Sequence, residues 1–304
     1  MDIGIALPQF GRHASREAIA RVAQKAERMG YASLWVQERL LRALSPRTPY
    51  AGIPGRAWPE AYRLVYDPIE TLTFAAAHTQ RIKLGTSVID ALFHTPVTVA
   101  RRLATLDQLS GGRVIAGLGQ GWAEDEFETA NVPVRRRGAG FEEFIAAVRA
   151  VWGPDPVRFP GRFYRIPESE IGPKPVQPGG PPIIVGAFAP AAIERAARIA
   201  DGINPIAFAW NALEEALATF RRAARAAGRD PDRLLLVVRA NNQVSDQPLP
   251  EPRTPCSGTA EQIAQDLARL REMGVNHVFF DLNFVETPVD AQLRLLERLR
   301  VAAA

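Results

Sequence analysis

Residues 81–127 read RIKLGTSVIDALFHTPVTVARRLATLDQLSGGRVIAGLGQGWAEDEF, and they contain a whole strand–helix–strand unit. Residues 82–89 are a short apolar run with β-branched members, interrupted at Gly85-Thr86-Ser87. From Pro96 to Leu109 the apolar residues Val97, Val99, Ala100, Leu103, Leu106 and Leu109 recur at helical spacing. Gly111-Gly112 stops that helix, and Val114-Ile115-Ala116 starts a second strand that breaks into Gly117-Leu118-Gly119-Gln120-Gly121-Trp122. In parallel α/β folds ligands sit at the carboxyl ends of the strands, so the site is expected there.

The same alternation extends in both directions. Strand starts near Asp2, Ala32, Ile82, Arg113, Ile183, Gly202, Arg233 and Asn276 alternate with helical segments. This predicts an α/β protein, a (β/α)₈ TIM barrel forming one domain over residues 1–304. A doubly wound open sheet is the alternative. Against it, the first strand–helix turn, LPQFGRHAS, lacks the G-x-G-x-x-G of that fold. Ser15 is placed to cap the first helix and Asp67-Pro68 to open the second. Two Pro/Gly-rich insertions interrupt the pattern, at 37–66 after the second strand and at 153–182 before the fifth. Tyr50, Trp58, Tyr62 and Tyr66 argue that the first is partly ordered, and GRFYRI at 161–166 suggests a hairpin in the second.

Bulk properties narrow the function. The 304 residues are 47% hydrophobic and 23% charged, enough to bury a large core. The net charge of +4 comes from arginines spread over helices, such as Arg221, Arg222, Arg269 and Arg298. No basic stripe with interleaved aromatics points to nucleic acid. The single cysteine, Cys256, rules out an intrachain disulfide and fits a reducing compartment. No apolar run approaches the roughly 18 residues of a membrane helix, and the chain opens on a strand-like run with no apolar leader. A soluble cytoplasmic protein is expected, with no membrane partner.

Several chemistries find no residues. His13, His78, His94 and His277 have no metal-ligand spacing, and neither a G-x-S-x-G elbow nor a Walker loop is present. What remains is small residues at strand ends: Thr86, Ser87, Gly117, Gly119 and Gly121. They would let a flat ligand lie against backbone, or they are ordinary turn residues. VGAFAPAAIERA at 185–196 places the N–H groups of Gly186, Ala187 and Phe188 at a helix N-terminus, where a phosphate is favoured. A plain turn is the alternative.

KLGTSVI at 83–89, ARRLATLDQLSGGRVIAGLGQGWAEDEF at 100–127 and GPKPVQPGGPPIIVGAFAPAAIERAARIADG at 172–202 resemble the luciferase-like monooxygenase superfamily. Arg137 with Phe141, Glu142 and Glu143, and GTAEQIAQDLARLREMGVNHV at 258–278, extend the resemblance over nearly the whole chain. Within it the chain is most similar to the branch that uses the deazaflavin coenzyme F420. The resemblance implies a (β/α)₈ barrel binding F420, or alternatively FMN. It implies a non-prolyl cis bond at Ser87-Val88 propping the ring beside Thr86. It sets Gly117, Gly119, Gln120, Trp122 and Asp125 along the ring and ribityl chain, and Gly186, Ala187 and Phe188 at the phosphate. It also implies a homodimer.

One departure stands out. Many deazaflavin relatives carry Asp-His after the second strand, and this chain has Glu38-Arg39. Arginine is no base at neutral pH. Arg39 is expected to hold an anionic substrate or the ring's carbonyl edge, or simply to pair with Glu38. His94, in ALFHTP after the third strand, is the remaining acid/base candidate. Trp58, Tyr62 and Tyr66 would roof the substrate pocket. The expected activity is hydride transfer between F420 and a small organic substrate. The alternatives are an FMN monooxygenase fed by a partner flavin or F420 reductase, and a non-catalytic flavin-binding protein.

Overall fold

The computed structural model describes residues 1–50, 55–285 and 287–302. Its strands, in chain order, are β1 (Asp2–Ala6), β2 (Ser33–Val36), β3 (Lys83–Thr86), β4 (Ile89–Asp90), β5 (Val114–Gly119), β6 (Val157–Pro160), β7 (Arg165–Ser169), β8 (Ile183–Val185), β9 (Gly202–Ile203), β10 (Leu235–Ala240) and β11 (His277–Phe280). The helices are α1 (Arg16–Arg28), α2 (Pro68–Ala77), α3 (Pro96–Ser110), α4 (Glu124–Thr129), α5 (Ala139–Trp152), α6 (Pro190–Ile199), α7 (Trp210–Ala226), α8 (Ala260–Glu272) and α9 (Val289–Ala302).

The caps follow the sequence. Ser15 accepts a hydrogen bond from the Ala18 N–H, Asp67 from Ile69, and Thr259 with Gln262 forms a capping box on α8. The α3 helix ends in a left-handed glycine, Gly111 at φ +70°.

Eight parallel strands close on themselves. The neighbours run β1, β2, β3, β5, β8, β9, β10, β11 and back to β1, with Leu84 opposite Val114 completing the ring. That pairing excludes the open sheet. Of the other strands, β4 prolongs β3 beside β5, and β6 and β7 form the hairpin expected in the second insertion. The tip of the first insertion, with its breakers Gly52 and Pro54, lies outside the described residues. Among the described residues no helix is long and apolar enough to cross a membrane.

Strand alternation fills the barrel in layers. At the amino end the Ser33 hydroxyl meets His277 Nε2 at 2.6 Å, and Trp35 Nε1 donates to the same hydroxyl. The middle layer is apolar: Trp35, Ile115, Ile184, Val237 and Phe279 pack together, with the Trp35 and Phe279 rings stacked 4.6 Å apart. Gly85 is glycine because the Trp35 indole occupies the place of a side chain there. The layer at the carboxyl end is polar, and it forms the floor of the site.

Candidate active site

The floor is made by the next inward positions on the strands. Ser87 donates to Asn204 Oδ1 at 2.6 Å, and Asn204 Nδ2 donates to the Val237 carbonyl at 2.7 Å. Arg239, buried at the end of β10, donates to the Ser87 carbonyl at 2.9 Å, to Asp281 at 2.6 Å and to Gln37. One guanidinium thus ties β2, β3, β10 and β11 together. The gap left among these groups is about 10 Å³, the room of one water, and Gln37 Nε2 has no protein partner there.

Above the floor the Ser87–Val88 bond is cis, as the resemblance implied. Val88 accepts at its carbonyl from the Glu38 N–H. Its side chain sits between two glycines. A Cβ on Gly119 would stand 2.5 Å from Val88 Cγ2, and one on Gly186 3.1 Å from Cγ1. These glycines make room for Val88, a protein group, and Gly117 does the same for the Thr86 backbone carbonyl. The small-residue pattern was read as close approach of a ligand; its first cause is close approach of β3 to β5 and β8. The Thr86 hydroxyl is likewise engaged, donating to the Gly117 carbonyl and accepting from the Gly117 N–H, both at 2.8 Å.

A buried charge cluster forms one wall. Arg39 does not pair with the Glu38 carboxylate. Its guanidinium, 6% exposed, bonds Asp90 and, at 2.6 Å, Glu126. The Trp122 and Tyr62 rings flank it with centroids at 5.3 and 5.9 Å. With two carboxylates already on it, this cation has little charge left for an anionic substrate. Glu126 also accepts from the Leu40 N–H at 2.9 Å, pinning the start of the first insertion to α4.

Glu38 turns the other way. One oxygen accepts from the Asp90 N–H at 2.7 Å, and the other meets His94 Nε2 at 2.7 Å. The His94 ring is one-fifth exposed, so one edge faces solvent. Burial works against its protonated form, but the hydrogen bond and charge of Glu38 outweigh that and hold His94 above its ordinary value. Burial pushes Asp90 up to about 7, against the pull of Arg39 and with Glu38 and Glu126 adding to the rise.

Of the remaining candidates, Tyr62 and Trp58 join the Arg39 wall, Trp58 packing on Trp122 at 5.0 Å, and the others lie apart. Trp58 and Tyr62 are buried in a cluster with Phe10, Ala61 and Ala123, and the Trp58 indole donates to the Thr48 carbonyl. Tyr66, two-fifths exposed, contributes backbone only: its carbonyl accepts from Gln9. Gln120 Oε1 accepts from the Gly138 N–H, and Asp125 holds the Arg47 N–H. At the end of β8 the Gly186 N–H, expected to face a phosphate, is instead taken by the Leu118 carbonyl. In α6, which begins at Pro190 with no side-chain cap, the Ala192 and Ile193 N–H groups both donate to the Ala189 carbonyl, so that Ala191 carries the one first-turn N–H left over. Ala187 is buried, while Phe188 is two-thirds exposed and stacks on Phe208 at 6.1 Å. Arg239, Gln37, Asn204 and Asp281 were missed. The signal was there in LLLVVRA: a lone arginine inside an apolar strand must find a buried partner.

Residues 1–248 match the sequence pattern of the family described as luciferase-like monooxygenase. The chain belongs to that family. Among its luciferase-like relatives, an uncharacterised Mycobacterium tuberculosis protein is 35% identical over 207 residues, 66% of this chain and 71% of that one. The F420-dependent glucose-6-phosphate dehydrogenase of Amycolatopsis mediterranei is 31% identical over 188 residues, which is 60% of this chain and about half (51%) of that protein. A solved F420-dependent secondary alcohol dehydrogenase, in complex with an F420–acetone adduct, superposes with a TM-score of 0.80 over 100% of this chain and 99% of that one, at 19% identity. That last likeness concerns the luciferase-like fold alone.

Proposed function

We propose that this luciferase-like protein is an F420-dependent oxidoreductase that transfers hydride between the deazaflavin and a small organic substrate. The observation that carries the reading is the Glu38–His94 pair. It holds a part-exposed imidazole, its pKa raised by Glu38, against a residue whose own backbone N–H bonds the Val88 carbonyl. A hydride transfer to a carbonyl, or from an alcohol, needs a proton delivered or removed at the oxygen, and this pair supplies that group. The relative named for F420 chemistry supports the choice of cofactor.

The residues present fit such a cofactor. The start of α6, with the Ala191 N–H and the positive end of the helix, suits a phosphate. Val88, backed by Gly119 and Gly186, offers an apolar face to a flat ring. When bound, the deazaflavin supplies the hydride chemistry. The chain supplies the rest. Arg239 and Ser87 fix the floor, the Arg39 cluster holds the first insertion over the mouth, and His94 holds or moves the proton with Glu38 fixing its ring. Domain organisation as one barrel and assembly into a homodimer are part of the same proposal.

Titration with F420 and with FMN, followed by fluorescence, tests the cofactor. Tight binding of F420 supports the reading, and failure to bind either would falsify it. Binding of FMN alone, with oxygenated product formed from reduced FMN, would move the protein to the monooxygenase alternative.

A further inference from the structure

A cavity of about 370 Å³ opens between the loops that follow β10 and β11, with Asn241, Asn242, Gln243, Arg253, Thr254 and Phe284 among its walls. It adjoins the mouth. Asn241 Oδ1 accepts from Arg239 Nε at 2.9 Å, and the Phe284 ring lies 5.6 Å from the Arg239 guanidinium. Three consecutive amide side chains at the end of a barrel strand are an uncommon lining, and Asn242 is only 2% exposed. Neither its Nδ2 nor its Oδ1 has a partner. A buried amide with both ends unpaired is costly and calls for a group that both donates and accepts.

The charge of the wall points the same way. Arg253 is engaged through both terminal nitrogens by Asp266, and its Nε lies 2.9 Å from Glu251. Two carboxylates therefore face one cation. Arg239, which bonds Asn241 on the wall, belongs to Asp281. A phosphoryl group carries only acceptors and about two negative charges near neutrality. Here it would meet an amide oxygen and two arginines each already faced by carboxylate, although the Arg253 Nε itself makes no hydrogen bond.

We propose that this cavity is a substrate subsite for an uncharged hydroxyl- or amide-bearing group, and that it disfavours a phosphorylated one. The inference rests on the reading of the mouth as a cofactor site, which gives a substrate its reason to lie alongside. On this basis the substrate differs in class from the sugar phosphate named for the Amycolatopsis relative.

The test reads the site directly in the full chain without cofactor. The Asn242 side-chain NH₂ signals in a ¹H–¹⁵N spectrum are identified by their loss in Asn242→Leu. Glucose, isopropanol, glucose-6-phosphate and inorganic phosphate are titrated in turn. The expected result is a saturable shift with glucose or isopropanol, and binding of glucose-6-phosphate at least about tenfold weaker than glucose, a difference of about 1.4 kcal/mol. In Asn242→Leu the Thr254 backbone signal loses its saturable shift; should that variant not fold, Asn242→Asp supplies the assignment and the same control. A response to phosphate or glucose-6-phosphate ahead of glucose overturns the proposal, as does no response to either uncharged probe. A parallel F420 and FMN titration separates the two readings. If no cofactor binds while Asn242 responds to glucose, the proposed function falls and with it the assignment as a substrate subsite, leaving a polyol-binding cavity; if a cofactor binds and Asn242 does not respond, the function stands and the subsite falls.

Discussion

Replacing His277 by glutamine should remove a built-in acid sensitivity of the barrel. His277 is 4% exposed at the amino end of the barrel, bonded through Nε2 to Ser33, and its Nδ1 is 3.8 Å from Asp2, too far for a hydrogen bond. Burial holds its pKa down to about 4, with Asp2 opposing weakly and Lys83 adding to the fall. The folded state therefore refuses a proton that the unfolded chain binds below its ordinary value of about 6.5. Stability from this group is complete above that value and falls as the pH drops from about 6.5 towards about 4. At about pH 5 the loss comes to about 2 kcal/mol, and at full extent to about 3 kcal/mol, on the order of 1.4 kcal/mol per unit. Asp90 runs the other way. Its folded value of about 7 lies above the ordinary 3.8, so its protonation stabilises the fold as the pH falls. The net pH profile mixes the two, and the comparison must be between proteins. Urea unfolding at about pH 7.5 and about pH 5 should show the unaltered protein losing about 2 kcal/mol more than His277→Gln. Parallel losses in the two, within about 0.5 kcal/mol, would refute the argument that a neutral imidazole is enforced at this position.

Four further outcomes are expected. Glu38→Gln should lower the His94 pKa, read by NMR, and reduce turnover on the order of a hundredfold while leaving cofactor affinity nearly unchanged. Arg39→Met should destabilise the fold by about 3–5 kcal/mol in urea unfolding, because it strands Asp90 and Glu126, and Asp90→Asn in the same chain should recover part of that loss. Gly119→Ala should weaken cofactor binding at least tenfold in a fluorescence titration, since its Cβ would meet Val88 at 2.5 Å; Gly111→Ala, whose Cβ meets nothing within 4 Å, should leave binding unchanged and affect only stability through its positive φ. Cys256, fully buried and with its thiol pushed up by burial, should resist iodoacetamide until the chain is unfolded, as counted by mass spectrometry.

Local rules carried the fold a long way. Apolar runs of strand length, helices spaced at three and four residues, and caps such as Ser15 and Asp67 are properties of neighbours in sequence, and all eight barrel strands were placed from such runs. The two insertions announced themselves by proline and glycine, and His94 and Glu38 were picked out one by one as titratable groups at strand ends. Their hydrogen bond was beyond reach, because it joins residues 56 positions apart and depends on ring closure. The same holds for Arg39, whose partners Asp90 and Glu126 arrive from two other strand–helix connections. The glycines were located from the sequence, but the packing that requires them was not. Sequence shows that a side chain is missing at Gly117 and Gly119, whereas only the packed barrel shows that Thr86 and Val88 take the space. The polar floor of Gln37, Ser87, Asn204, Arg239 and Asp281 is the clearest case of what tertiary structure alone decided. Ser87 and the lone Arg239 in LLLVVRA can be singled out in the chain, but not which groups they meet. A closed ring turns all of them inward at one level, and burial there obliges each to bond another.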